Sequence, residues 1–168
     1  MRRIFTILLS MTMVVMMSAA AFADSMTQES AVKAAFKDAG LSKDKVVGFE
    51  AEKDDGKYEI EFTDPDSGTE YSYEFSASSG KMLEKSVDYT YKRTSSKKKI
   101  GTKAARKKAA KISGIKYKTV KKGSCKYTYK KKFGKYKVKF KTGGYKYEVE
   151  IAAATGKIIE LEKEATRK

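Results

Sequence analysis

The chain has no histidine, no tryptophan, one cysteine and one proline among its 168 residues. Without imidazole, Ser-His-Asp and Cys-His nucleophile systems are excluded. With a single thiol, most zinc sites go too, since they rest on imidazole or on several thiolates. A lone thiol closes no internal disulfide, so stability has to come from packing. Cys125 lies in an alternating stretch, where a small buried hydrophobe is the plain reading and an intermolecular disulfide the alternative. Paired-carboxylate chemistry stays formally open. The Asp and Glu residues, however, alternate along strand-like segments or sit in turns, as solvated side chains do. A non-enzymatic protein with no cofactor is therefore expected. Asp54, Asp55, Asp64 and Asp66 lack the spacing of a dedicated calcium loop, so no metal site is expected either.

Long apolar runs are scarce. The strongest follows Arg2 and Arg3, spans residues 4–17 and ends in small residues and the triplet Ala21, Phe22, Ala23. This is the pattern of a secretory signal, with cleavage expected after Ala23. The run falls short of the roughly 20 residues that cross a bilayer. With no cysteine at the cleavage point, the expected product is an unanchored protein, secreted or held in the cell envelope.

What the rest of the chain does have is internal repetition. Residues 26–41 (MTQESAVKAAFKDAGL) lie without a gap on residues 100–115 (IGTKAARKKAAKISGI), so that Ala31 falls on Ala105, Ala35 on Ala109, Gly40 on Gly114 and Leu41 on Ile115. Residues 56–62 (GKYEIEF) fall on 134–140 (GKYKVKF). Tyr71, Tyr73, Phe75, Ala77, Gly80 and Lys81 fall on Tyr147, Val149, Ile151, Ala153, Gly156 and Lys157. Three blocks recur in one order, with length changes only between them, where loops absorb them most easily.

Each block has a readable period. Ala31, Val32, Ala35, Phe36 and Ala39 follow helical spacing, with Thr27 or Ser30 as caps and Gly40 as the stop. Ala105, Ala109, Ala110 and Ile112 make a weaker stripe in the second copy. Tyr58, Ile60 and Phe62 alternate with Lys57, Glu59 and Glu61, and Tyr71, Tyr73 and Phe75 alternate with Ser72 and Glu74. Such alternation predicts strands with one wet and one buried face. Turn chemistry at residues 64–68 (DPDSG) and at Gly143 and Gly144 makes them antiparallel hairpins. Further strands are expected over residues 46–52 and 81–87, with counterparts over 118–129 and 157–162. The fold class is α+β: two tandem small modules, each one helix packed on an antiparallel sheet of about four strands. The division is residues 1–23 for the signal, 24–90 for an acidic module, 91–99 (YKRTSSKKK) for a polar linker and 100–168 for a basic module. A linker of that composition leaves the modules free to move relative to each other.

The helix MTQESAVKAAFKDAGL, the strand GKYEIEF and the ending YSYEFSASSGKML, with their second set IGTKAARKKAAKISGI, GKYKVKF and YEVEIAAATGKII, resemble the PepSY family of small modules found in propeptides of secreted metallopeptidases and in bacterial envelope proteins. The resemblance covers nearly all of the chain after the signal. It implies a cystatin-like layer of one helix on a sheet, no catalytic residues, and a binding or inhibitory role toward a protein partner, a secreted peptidase among the candidates. The second copy departs by placing Arg106 where Val32 stands and by carrying lysine on most outward positions, so its surface partner is free to differ.

Acidic residues are the last scarcity, and it is local. Residues 24–90 hold 16 acidic and 8 basic side chains, while residues 91–168 hold 5 acidic and 27 basic, giving net charges of −8 and +22. Alternation sets Lys135, Lys137, Lys139 and Lys141 on one strand face and Tyr136, Val138 and Phe140 on the other. The tyrosines are thus core and the lysines a cationic sheet face. Lys103, Arg106, Lys107, Lys108 and Lys111 add a basic helix. These nine residues are the candidate polyanion site. Self-repulsion on this scale argues for an anionic partner, a wall polymer or a membrane surface, bound in a salt-dependent way. Lysine is a point charge without arginine's planar fork, so no specific nucleic-acid recognition is expected. A secreted protein that binds or restrains a peptidase or another envelope protein is one functional expectation. A structural surface protein holding anionic polymers through its basic half is the other.

Overall fold

The computed structural model describes residues 25–93 and 97–166. The expected signal segment, residues 1–23, lies outside the described residues, as do residues 94–96 of the expected linker. Helix α1 (Gln28–Ala39) starts where Thr27 and Ser30 form a reciprocal capping box, and it stops at Gly40, whose φ of 71° is left-handed. Its Ala31, Ala35 and Phe36 are buried against a four-stranded antiparallel meander. The strands are β1 (Val47–Asp54), β2 (Lys57–Asp64), β3 (Thr69–Ser76) and β4 (Met82–Asp88). Tyr58, Ile60, Phe62, Tyr73 and Phe75 form the sheet side of this core, as the alternation requires.

The second half repeats the plan. Helix α2 (Thr102–Ile112) is followed by a short helix α3 (Tyr117–Lys121) and by β5 (Ser124–Lys130), β6 (Phe133–Thr142), β7 (Tyr145–Ala152) and β8 (Ile158–Ala165). Ala105, Ala109, Ala110, Val120, Tyr136, Val138, Phe140, Val149, Ile151 and Leu161 are buried together. The connecting hydrogen bonds recur at the spacing of the sequence repeat. The amide of Met26 donates to the Ala77 carbonyl at 2.8 Å, and that of Ile100 to the Ala153 carbonyl at 2.9 Å. Leu41 donates to Phe36 and Ile115 to Ala110, both at 3.1 Å.

Three expectations are corrected. Residues 118–121 belong to helix α3, and only the later part of the strand expected over 118–129 is β5. The second half therefore has two helices over its strands where one was expected. The halves are also not free to move: β4 pairs with β8, giving one eight-stranded antiparallel sheet in the order β1-β2-β3-β4-β8-β7-β6-β5. The hydrogen bond from the Tyr89 amide to the Ile159 carbonyl, 2.9 Å, extends this seam. On the helix side, Val87 lies opposite Leu161, both buried in the second-half core, and the Tyr145 hydroxyl donates to the Met82 carbonyl at 3.1 Å. The seam satisfies the backbone of two strands that would each be an open edge in a separate four-stranded sheet. Among the described residues no helix is long and apolar enough to cross a membrane.

Candidate anion-binding surface

The sheet has a helix-covered face and an open face. Its register places every acidic residue of the second half on the open face: Glu148 and Glu150 on β7, Glu160, Glu162 and Glu164 on β8. Glu150 lies opposite Glu160, and Glu148 opposite Glu162. Lys135, Lys137, Lys139 and Lys141 lie on this same face, and the first three are ion-paired there, sharing two glutamates. Lys135 pairs with Glu150, Lys137 with Glu148 and Glu150, and Lys139 with Glu148. Glu150 is only 5% exposed. Burial pushes its carboxyl up, but the hydrogen bonds and charges of Lys135 and Lys137 outweigh this and hold it below its ordinary 4.5. The expected cationic sheet face is therefore a mixed lattice, in which Lys141 is exposed beside Lys146.

Toward β4 the open face becomes acidic. Glu84 lies opposite Glu164, and Asp88 opposite Glu160. Burial, a hydrogen bond shared with Glu162 and repulsion from Glu162, Glu150 and Asp88 push the Glu160 carboxyl up to about 7. Glu84 and Asp88 are raised as well, again first by burial and then by neighbouring carboxylates.

A second set of unpaired cations sits on the other side of the molecule. On α2, Lys103, Lys107, Lys108 and Lys111 are exposed and, among the described residues, make no ion pair. Lys103, Lys107 and Lys111 follow one another at i, i+4, a spacing at which like charges repel by ~0.2–0.5 kcal/mol per pair. Lys118, Lys121 and Lys122 continue the surface along α3. The N-terminus of α2 carries Lys103 and no acidic residue in its first turn, which sets a cation at the positive end of the helix dipole. α1, by contrast, has its side-chain cap and Glu29 there. This helical layer is thus positive without internal compensation.

Arg106 stands apart from the other candidates. It is half-buried, and its Nη2 donates to the Gly123 carbonyl at 2.9 Å, tying α2 to the turn that follows α3. Its role is structural, and the cue was visible in the sequence as a charge on the apolar stripe, where Val32 stands in the first copy. The cations that sequence reasoning passed over, Lys118, Lys121 and Lys122, were hidden by the strand expected there.

The described residues contain no group of three His, Cys, Asp or Glu side chains able to hold a metal ion. The Asp64 carboxylate is spent on its own turn, accepting from the Asp66 amide at 3.0 Å and the Ser67 hydroxyl at 2.6 Å. Cys125 is half-buried on β5, and burial pushes its thiol up, away from the reactive thiolate form.

Among solved structures, the chain is similar to the Bacillus megaterium YpeB C-terminal domain, with 15% identity, a TM-score of 0.47 and coverage of 82% of this chain. The chain spans 62% of the length of that structure. It is also similar to a putative lipoprotein from Clostridium difficile 630, with 21% identity, a TM-score of 0.31, and coverage of 81% of this chain and 91% of that one. A third similarity is to a BLIP-like protein from Bacteroides fragilis, with 11% identity, a TM-score of 0.30, and coverage of 85% and 91%. No curated protein matches the chain at a significant level. The model of one family, PepSY, described as peptidase propeptide and YPEB domain, matches residues 25–85, the span of α1 and most of the meander that follows it. The PepSY match is thus confined to the first half of the chain, residues 25–85.

Proposed function

We propose that the chain is a secreted, non-enzymatic binding protein made of two PepSY-type units, residues 24–90 and 100–168, whose second unit attaches to an anionic polymer or membrane surface of the envelope through its helical layer. The observation that carries this reading is the sorting of charge in the second half. Every carboxylate lies on the open sheet face, and the row Lys103, Lys107, Lys111 on the opposite side is left unpaired at repelling distance. A folded protein that keeps such a row loses helix stability by it, and an anionic partner recovers that loss. The protein-binding role rests on the family match of the first half, whose description makes a secreted peptidase the first class of partner to test.

Residues 24–168 with the triple change K103E/K107E/K111E should lose most binding to phosphatidylglycerol vesicles and to isolated cell walls. K135Q/K137Q should keep it. Wild-type binding should fall steeply between low and high salt. Binding that is indifferent to salt, or that survives the helix variant and fails in the sheet variant, would reject the helical layer as the attachment surface. Activity of secreted peptidases with and without the protein tests the role of the first unit.

A further inference from the structure

The two halves differ in one place that the repeat makes comparable, the space between the helix and the outermost strand. In the second half the connection from the helix to that strand forms α3, packed against α2 and β6, with Val120 fully buried and the following Gly123 carbonyl gripped by Arg106. In the first half the corresponding connection holds only a single 3₁₀ turn (Lys43–Lys45) with no buried residue. Val32 stands where the second half has Arg106. What remains is an apolar groove of about 730 Å³ lined by Val32, Phe36, Leu41, Phe49 and Ala51, with the rings of Phe36 and Phe49 stacked at 5.7 Å.

The groove opens beside β1, an edge of the sheet. Simple addition of a strand is obstructed. The Gln28 side chain already donates to the Ala51 carbonyl at 2.6 Å, and the register of β1 shifts between Val47 and Glu50, where Gly48 has a φ of 61°. An inserted side chain meets neither obstacle. The rim carries Lys33, Lys37 and Lys43 against a single carboxylate, Glu29, which is paired with Lys33 at 2.6 Å. Lys43 lies over the Phe49 ring, 4.3 Å from its centroid. This basic rim stands in a half whose net charge is −8.

We propose that the groove receives an apolar side chain from an acidic segment of a protein partner, doing for the first half from outside what α3 does for the second from within. The inference rests on the reading that the first unit binds a protein, and it places that binding between α1 and β1. Charge complementarity selects the occupant, because Lys37 and Lys43 offer cations to carboxylates flanking the inserted residue.

The test uses residues 24–168 and a phage-displayed library of random peptides as the probe. Peptides selected on the wild type should carry an apolar residue flanked by Asp or Glu, and Val32→Arg should weaken their binding by ~10-fold or more, since it sets a charge in an apolar site. The surface variant K37E/K43E leaves the core untouched and should shift the selected flanks to Lys and Arg. Peptides that bind wild type, V32R and K37E/K43E alike would overturn the groove as the site. So would a library that yields no peptide distinguishing them. If the wild type self-associates in sedimentation and V32R does not, the occupant is a second copy and the proposed partner is wrong. A groove that fails while a peptidase is still restrained refutes this inference alone; restraint absent for every peptidase, with the peptide preferences as described, refutes the peptidase reading alone.

Discussion

At the residue scale, equivalent positions of the repeat do different work. Gly56 and Gly134 align in the sequence, and both carbonyls accept from the equivalent Ala77 and Ala153 amides, at 2.9 and 2.8 Å. Gly56 closes the β1–β2 turn with Asp55, at φ values of 72° and 40°, the Asp-Gly chemistry of a two-residue hairpin. Gly134 lies inside β6, where an added Cβ would meet the Tyr127 hydroxyl at 2.8 Å. The β5–β6 turn falls instead on Lys131 and Lys132, with φ of 47° and 60°. A left-handed conformation costs an ordinary L-residue ~1–2 kcal/mol. The double substitution K131N/K132G should therefore raise unfolding stability by ~1–2 kcal/mol in a urea titration; an unchanged midpoint would show that the lysines hold the turn without strain. Inward Tyr58, Ile60 and Phe62 were readable from alternation alone. The partners of Lys135, Lys137 and Lys139 were not, because a cross-strand neighbour depends on register.

At the scale of elements, local signals located α1 well, since Thr27, Ser30 and Gly40 mark its ends. α3 left no such signal. Its five residues, YKTVK, have no side-chain cap and are too short to be helical on their own, and their alternation imitates a strand. Tertiary contact decides for helix, through buried Val120 and the Arg106 grip on the following turn. The β4–β8 seam was equally silent, as it joins strands more than seventy residues apart and neither sequence names its neighbour. Val87, 1% exposed, opposite Leu161, 6% exposed, makes the seam part of the core. Val87→Ala should cost about 2 kcal/mol through lost burial and the cavity left behind. The loss should appear equally in the slowest-exchanging amides of both halves. Destabilisation confined to one half would mean that the seam does not couple them.

At the scale of the whole molecule, the open face carries a charge gradient, acidic over the seam and mixed lysine and glutamate toward β5. The raised carboxyls of Glu160, Glu84 and Asp88 bind protons more readily in the folded than in the unfolded chain. Stability then increases as pH falls from about 7 toward the ordinary 4.5 of Glu160. The depressed Glu150 acts in the opposite direction only as pH falls below 4.5. Thermal unfolding should accordingly show a higher midpoint near pH 5 than near pH 8, and Glu160→Gln should raise the pH 8 midpoint and flatten the profile. A profile rising steadily toward pH 8 would contradict the acidic seam. The sequence alone determined the repeated helix-and-hairpin plan, the inward residues and the unequal charge of the halves, because periodicity, caps and composition are local properties. Tertiary structure decided that two expected mobile modules share one sheet, that Lys135, Lys137 and Lys139 are spent on glutamates while the α2 lysines are not, and that Arg106 is a tie. Those outcomes depend on which strands become neighbours and in what register, and a charge acquires its role only when its neighbours are known.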